Sequence, residues 1–124
     1  MITMLPVKDR ELLQSLNEKE NTNANLGYAL YDENEITGYV LYNLFSEYGE
    51  FVAINANSLS EKDGLIRAAL GSLYEVGINK AIFKYSFPIE IVRKLNMLQQ
   101  EEYTIPSIYD ILFQCCSCKK ANNG

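Results

Sequence analysis

From residue 27 to residue 56 the chain passes through three apolar-rich stretches, 27–31, 36–45 and 50–56, built largely from Tyr, Val, Ile, Leu, Phe and Ala. The clusters between them, Asp32-Glu33-Asn34-Glu35 and residues 46–49, have the length and polarity of tight turns. Short runs of strand-favouring residues separated by such turns commit this part of the chain to an antiparallel meander of three strands. A helix there would scatter the alternating side chains around its circumference and present no apolar face.

The period then changes. Leu65, Ala68, Ala69, Leu73 and Val76 share one face of a helix over 64–76, and Gly77 stands where a left-handed residue closes such a helix. A short strand over 80–86 follows. The third meander strand is thus joined to its successor through a helix, the connection that parallel neighbours require. A strand over 2–7 precedes a helix that opens at Asp9 and carries Leu12, Leu13 and Leu16; a polar, asparagine-rich loop over 18–25 ends it. Pro88 opens a further helix running to 97, and 103–113 reads as mostly strand-like, interrupted by Pro106. The expected fold class is α/β, more narrowly a mixed α+β sheet: central, mostly antiparallel, with helices on both faces. One domain is expected over 1–113, with a polar tail over 114–124.

At 124 residues the chain has material for one hydrophobic core. Its 48% apolar and 22% charged residues are ordinary for a globular protein, so disorder is not the default. A formal net charge of −5 argues against nucleic acid and against an anionic membrane surface, both of which call for clustered cations. No stretch approaches the ~20 apolar residues of a membrane span. The first residues lack the basic, apolar and small-residue regions of a signal peptide, and a cytoplasmic location is expected. Histidine is absent. That removes Ser-His and Cys-His nucleophiles and the usual imidazole metal sites, and leaves acid-base chemistry to carboxylates, Tyr, Lys, Cys or water. No metal site is expected.

The order of elements, the hairpin "YDENEITGYVLY" and the strand-loop-helix "FVAINANSLSEKDGLIRAAL" together resemble the GNAT N-acetyltransferase superfamily over roughly residues 2–113. The chain looks like a short, degenerate member. In that family a strand ends in a loop of the form Gln/Arg-x-x-Gly-x-Gly/Ala that opens a helix. Unpaired N–H groups and the helix dipole there attract a pyrophosphate, and glycine lets it approach. Laid on this chain, the pattern falls on Glu61, Gly64 and Ile66, so one position of three matches. The resemblance implies acetyl-CoA as cofactor, its pantetheine arm pairing with the backbone of Ala53, Ile54, Asn55, Ala56 and Asn57. The pyrophosphate would then lie at Asp63, Gly64, Leu65, Ile66 and Arg67. Glu61 puts a like charge there and Ile66 a branched side chain, which Arg67 would partly offset; Gly64 reads equally well as a permissive residue at a helix start.

Acetyl transfer to an amine needs a base for the ammonium proton and an acid for the leaving thiolate. Glu50, at the head of the third meander strand, is the candidate base, although a solvated turn carboxylate is the commoner role for such a residue. The family's tyrosine would fall near residues 95–98, where this chain has none, and Tyr85 is the candidate replacement acid. Asn55 and Asn57 suit a cleft lining or a turn equally. The implied function is an acetyl-CoA-dependent N-acetyltransferase acting on a small amine or peptide amine. The alternative is a catalytically inactive GNAT-like domain that serves as a binding or interaction module; an unrelated domain sharing the element order is a third. A shortened sheet would leave an edge that a homodimer could cover. Cys115, Cys116 and Cys118 lack a fourth ligand for tetrahedral zinc, so a reduced, oxidation-prone tail is expected.

Overall fold

The computed structural model describes residues 2–98 and 103–113. In chain order these form β1 (Ile2–Pro6), α1 (Arg10–Glu20), β2 (Leu26–Asp32), β3 (Glu35–Leu44), β4 (Gly49–Asn55), α2 (Leu59–Glu75), β5 (Ala81–Phe83), α3 (Ile89–Lys94), β6 (Thr104–Ile105) and α4 (Ile108–Phe113). The cysteine tail lies outside the described residues.

Local chemistry accounts for the boundaries. The Asp9 carboxylate caps α1 by accepting from the Glu11 N–H at 2.9 Å, and the helix stops where Asn21 turns left-handed at φ 57°. Glu33 and Asn34 both have positive φ, the signature of a two-residue hairpin turn whose twist matches the strands it joins. At the end of α2, Gly77 has φ 92°, its N–H donates to Tyr74, and the N–H of Ile78 donates to Leu73. The left-handed close anticipated at this glycine is present, and the pair of bonds makes it a Schellman ending.

Three segments differ from their expected form. Helix α2 starts at Leu59, not at residue 64, because the Ser58 hydroxyl accepts from the Glu61 N–H at 3.1 Å while the Glu61 carboxylate accepts from the Asn57 N–H at 3.1 Å. These two bonds cap the helix five residues ahead of Gly64. Pro88 is the N-cap of a six-residue α3 rather than the first residue of a ten-residue helix. The segment 103–113 holds a two-residue strand followed by α4, since Pro106 cannot continue a ladder and Ser107 accepts from the Asp110 N–H at the new helix start.

The six strands form one sheet in sequence order, antiparallel at every junction except the parallel pair β4–β5. Alternation sorts the middle of β3. Val40 and Tyr42 face α2, joining Phe51, Leu65, Ile66, Leu70 and Leu73 in the larger core; Tyr39 and Leu41 face α1 and Leu16. The mixed α/β, mostly antiparallel architecture and the helices on both faces are therefore as the sequence pattern predicts. Among the described residues no helix is long and apolar enough to cross a membrane.

Candidate functional site

The sheet parts company at β4. Gly49, Glu50 and Phe51 pair with Ala81, Ile82 and Phe83 of β5, and the Lys84 N–H donates to the Phe51 carbonyl at 2.9 Å. The chain then turns through residues 84–87, closed by a 2.8 Å bond from the Phe87 N–H to the Lys84 carbonyl. The last tie across the gap is a side chain: the Ser86 hydroxyl donates to the Val52 carbonyl at 2.8 Å. Beyond it, Ala53, Ile54 and Asn55 have no strand partner on the β5 side among the described residues.

A bulge sits at the same place. Tyr42 pairs with Phe51 and Leu41 with Ala53, so Val52 is the extra residue in β4. Bulges bend and twist the strand that carries them. Val52 and Ala53 consequently both pack on the α1 face, whereas strict alternation would have put them on opposite faces. The result is a sheet joined at one end of β4–β5 and splayed at the other.

On the α1 side of the splay lies a cavity of about 410 Å³, lined by Asn21, Thr22, Asn23, Asn43, Val52, Lys84, Tyr85 and Ser86. The asparagine-rich loop that forms one wall is firmly held. Asn17 receives the Ala24 N–H at 2.8 Å and the Thr22 hydroxyl at 2.8 Å, and its own amide donates to the Ala24 carbonyl at 2.9 Å. Asn43, 9% exposed, is the one buried polar residue among those described. Its Oδ1 accepts from the Asn25 N–H at 2.9 Å, and its Nδ2 donates to Glu50 Oε1 at 3.3 Å. Both ends of this amide are thereby fixed in orientation.

The two candidate catalytic residues occupy different settings. Glu50 is half-buried on the α1 face; it stands behind Asn43, one hydrogen bond from the cavity, and is not among its lining residues. Tyr85 is on the cavity rim and 98% exposed. Of the cofactor candidates, Ala53 is buried, Ile54 and Ala56 are half-buried, and Asn55 and Asn57 are exposed along the splayed end of β4 and the turn after it. The Asn55 amide also bonds the hydroxyl of Tyr39, which itself donates to the Glu20 carboxylate at the end of α1. Burial, reinforced by the Glu20 bond, pushes the Tyr39 phenol up to about 12.

The second group of cofactor candidates is dispersed. Gly64 lies in the second turn of α2, where an added Cβ would meet the end of the Met4 side chain at 3.0 Å. Leu65 and Ile66 are fully buried in the core between α2 and the sheet. Asp63 and Arg67 pair with each other at 2.9 Å, and Arg67 also donates to the Ile111 carbonyl of α4 at 3.2 Å. The helix N-cap is Ser58, and the carboxylate of Glu61 occupies that end. The expectation that Gly64 opens the helix is corrected by this cap.

Sequence reasoning passed over Asn43, Lys84, Ser86 and the 21–23 wall. Only Asn43 carried a signal: an amide in the apolar run "YVLYNLF", at the register that alternation assigns to the α1 face.

No protein-family model matches the chain, and no curated protein matches it in sequence. Solved structures do. It is similar to a predicted acetyltransferase from Clostridium acetobutylicum determined with acetyl-CoA, at TM-score 0.52 and 15% identity, covering 83% of this chain and 94% of that one. It is similar to the putative N-acetyltransferase YhhK from E. coli bound to coenzyme A, at TM-score 0.51 and 10% identity, covering 84% of this chain and 96% of that one. N-acetylglutamate synthase from Neisseria gonorrhoeae, complexed with coenzyme A and N-acetyl-glutamate, matches at TM-score 0.51 and 10% identity over 67% of this chain. Only 25% of the synthase is covered, so the chain spans a quarter of that protein. The fold shared with these structures is that of the GNAT acetyltransferases.

Proposed function

We propose that the chain is an acetyl-CoA-dependent N-acyltransferase-like protein whose acceptor is a small amine. The observation that carries this is the splay: β4 and β5 pair through Phe51 and Phe83, and β4 continues beyond them with an open edge beside a 410 Å³ cavity. An unpaired strand edge is a template for an extended amide chain, and its backbone pairing ignores side-chain identity. Ala53, Ile54, Asn55, Ala56 and Asn57 would hold the pantetheine arm in this way. The neighbours crystallised or studied with coenzyme A or acetyl-CoA support the same assignment.

The residues fit the pantetheine arm better than the pyrophosphate. An anion at α2 would meet the N–H groups near Ser58 and not those at Gly64, and Glu61 would repel it. Acetyl-CoA supplies a thioester whose carbonyl carbon an amine can attack, with cleavage of the C–S bond. In this reading Glu50 would take the ammonium proton through a bridging water, and the Tyr85 hydroxyl would supply the proton that a leaving thiolate needs. The Asn43–Glu50 bond links that carboxylate to a residue that lines the cavity.

The test is binding of acetyl-CoA by calorimetry or thermal shift. Cofactor at 100 times its dissociation constant stabilises the fold by about 2.7 kcal/mol. Glu61→Gln should then tighten binding about threefold, by removing a like charge from the helix start. No stabilisation at millimolar acetyl-CoA would end the transferase proposal. The inactive binding module would take its place, a reading favoured by the Glu61 cap and by a fully exposed Tyr85.

A further inference from the structure

Resting on the acceptor role assigned to the 410 Å³ cavity, we infer that it selects acceptors carrying a carboxylate beside the amine: free α-amino acids in preference to simple amines. The volume falls within the roughly 300–1,000 Å³ of small-ligand sites. No carboxylate lines it, although the chain as a whole is acidic at net charge −5. Lys84 is the cation among the lining residues, and it has no ion-pair partner among the described residues. The remaining polar lining comes from hydroxyls and amides: Thr22, Ser86, Tyr85 and the asparagines 21, 23 and 43.

Asn43 gives the site its polarity. A side-chain amide has two N–H donors, and one of them goes to Glu50. Its oxygen is committed to the Asn25 N–H, so the amide cannot flip without losing both bonds. The second N–H has no partner among the described residues, and a buried amide gains by finding an acceptor. The lining therefore includes a donor and an ammonium that suit a carboxylate. The carboxylate of Glu50, one bond behind Asn43, provides the negative potential for the amine. A simple amine satisfies the second feature and leaves Lys84 and the free Asn43 N–H unused.

Alternation keeps these groups together. Phe83 packs toward α2, so Ile82 and Lys84 fall on the opposite, α1, side of the sheet, with Val52 and Asn43. The turn that ends β5 at Phe83, closed by the Phe87 N–H on the Lys84 carbonyl, fixes the Lys84 backbone beside β4. The position of the cation is thus a consequence of the splay itself.

The experiment is an amide chemical-shift titration of the full chain with three pairs that differ only in the carboxylate: L-serine and ethanolamine, L-phenylalanine and phenethylamine, L-lysine and cadaverine. Each is run with and without coenzyme A. At least one amino acid should shift residues 21–23, 84–86 and the Asn43 side chain, and should bind about fivefold more tightly than its amine. Lys84→Gln, at an exposed position, should remove that preference while the rest of the spectrum stays native. The preference should also weaken as salt is raised. Equal binding of acid and amine, a preference that survives Lys84→Gln, or no shift at the cavity by any of the three acids would overturn the inference. Coenzyme A binding is read in the same titrations from residues 53–61, so loss of the transferase proposal and loss of carboxylate selectivity are separate results.

Discussion

The two faces of the sheet are built to different specifications. Against α2 the sheet presents a cluster of eighteen buried apolar residues, joined by α3, β6 and α4 and filled by the contacting rings of Tyr42, Phe51, Phe83 and Phe87. Against α1 the cluster has seven, and its edge dissolves into amides, a phenol–carboxylate pair and a cavity. One face supplies most of the hydrophobic stabilisation, at about 1.5–3 kcal/mol for each large side chain fully buried. The other carries polar groups that must be satisfied one by one, and its geometry is set by directional bonds. A ligand site belongs on the second kind of face, where vacating a cavity leaves little packing unmade.

The largest expected effect tests that asymmetry directly. Leu70→Ala, at a fully buried position on the α2 face, should cost about 4 kcal/mol in urea unfolding; Leu16→Ala, the corresponding leucine of α1, should cost about 2. Equal costs would mean that the two faces are packed alike. Next in size is Gly49→Ala. Its Cβ would stand 2.3 Å from a Leu73 methyl and 3.1 Å from Leu73 Cγ, and Leu73 is itself buried in the larger core. Overpacking of this kind should cost about 2 kcal/mol, and the strain falls where β4 passes under α2.

On the polar face the matching probe is Tyr39→Phe, which keeps the ring and removes its bonds to Glu20 and Asn55. The expected loss at pH 7 is about 1–2 kcal/mol, a hydrogen bond to a charged group less the relaxation of a half-buried Glu20. Its pH dependence gives the sign. The folded phenol ionises at about 12 against 10.0 when unfolded, so the stability it confers is complete below pH 10 and is lost as pH rises toward 12. The gap between wild type and Tyr39→Phe should close over that window, and a constant gap would show that the hydroxyl does not hold its proton as described.

Much of the α2 face could be read from the chain itself. The meander, the crossover helix and the glycine that ends it are written in local periodicity and turn chemistry, which need no knowledge of tertiary contacts. The start of α2 was written too, as the Ser58-x-x-Glu61 cap, but Gly64 drew the boundary five residues late because a glycine at a helix start has the same appearance as one packed against Met4. The other face was far less legible. Asn43, Lys84 and the 21–23 wall are distant in sequence and meet only because Val52 is bulged and β5 stops at Phe83. A bulge leaves no residue-type signature at Val52. The opposite error arose at 103–113, where apolar content without clean periodicity suggested a strand and Ser107 started a helix.

The smallest predicted effect separates packing from propensity within α2. Gly71 lies in the helix interior, and an added Cβ there meets nothing within 4 Å; Gly64 lies one turn into the same helix, and its Cβ would meet Met4 Cε at 3.0 Å. Alanine at either site removes the backbone entropy that glycine loses on entering a helix, worth about 0.8–1 kcal/mol. Gly71→Ala should therefore raise the midpoint of thermal unfolding by about 4 °C. Gly64→Ala should gain less, about half as much, because the flexible Met4 terminus has to shift by a few tenths of an ångström in β1. Equal gains would mean that Met4 yields freely and that Gly64 answers to no contact in the fold.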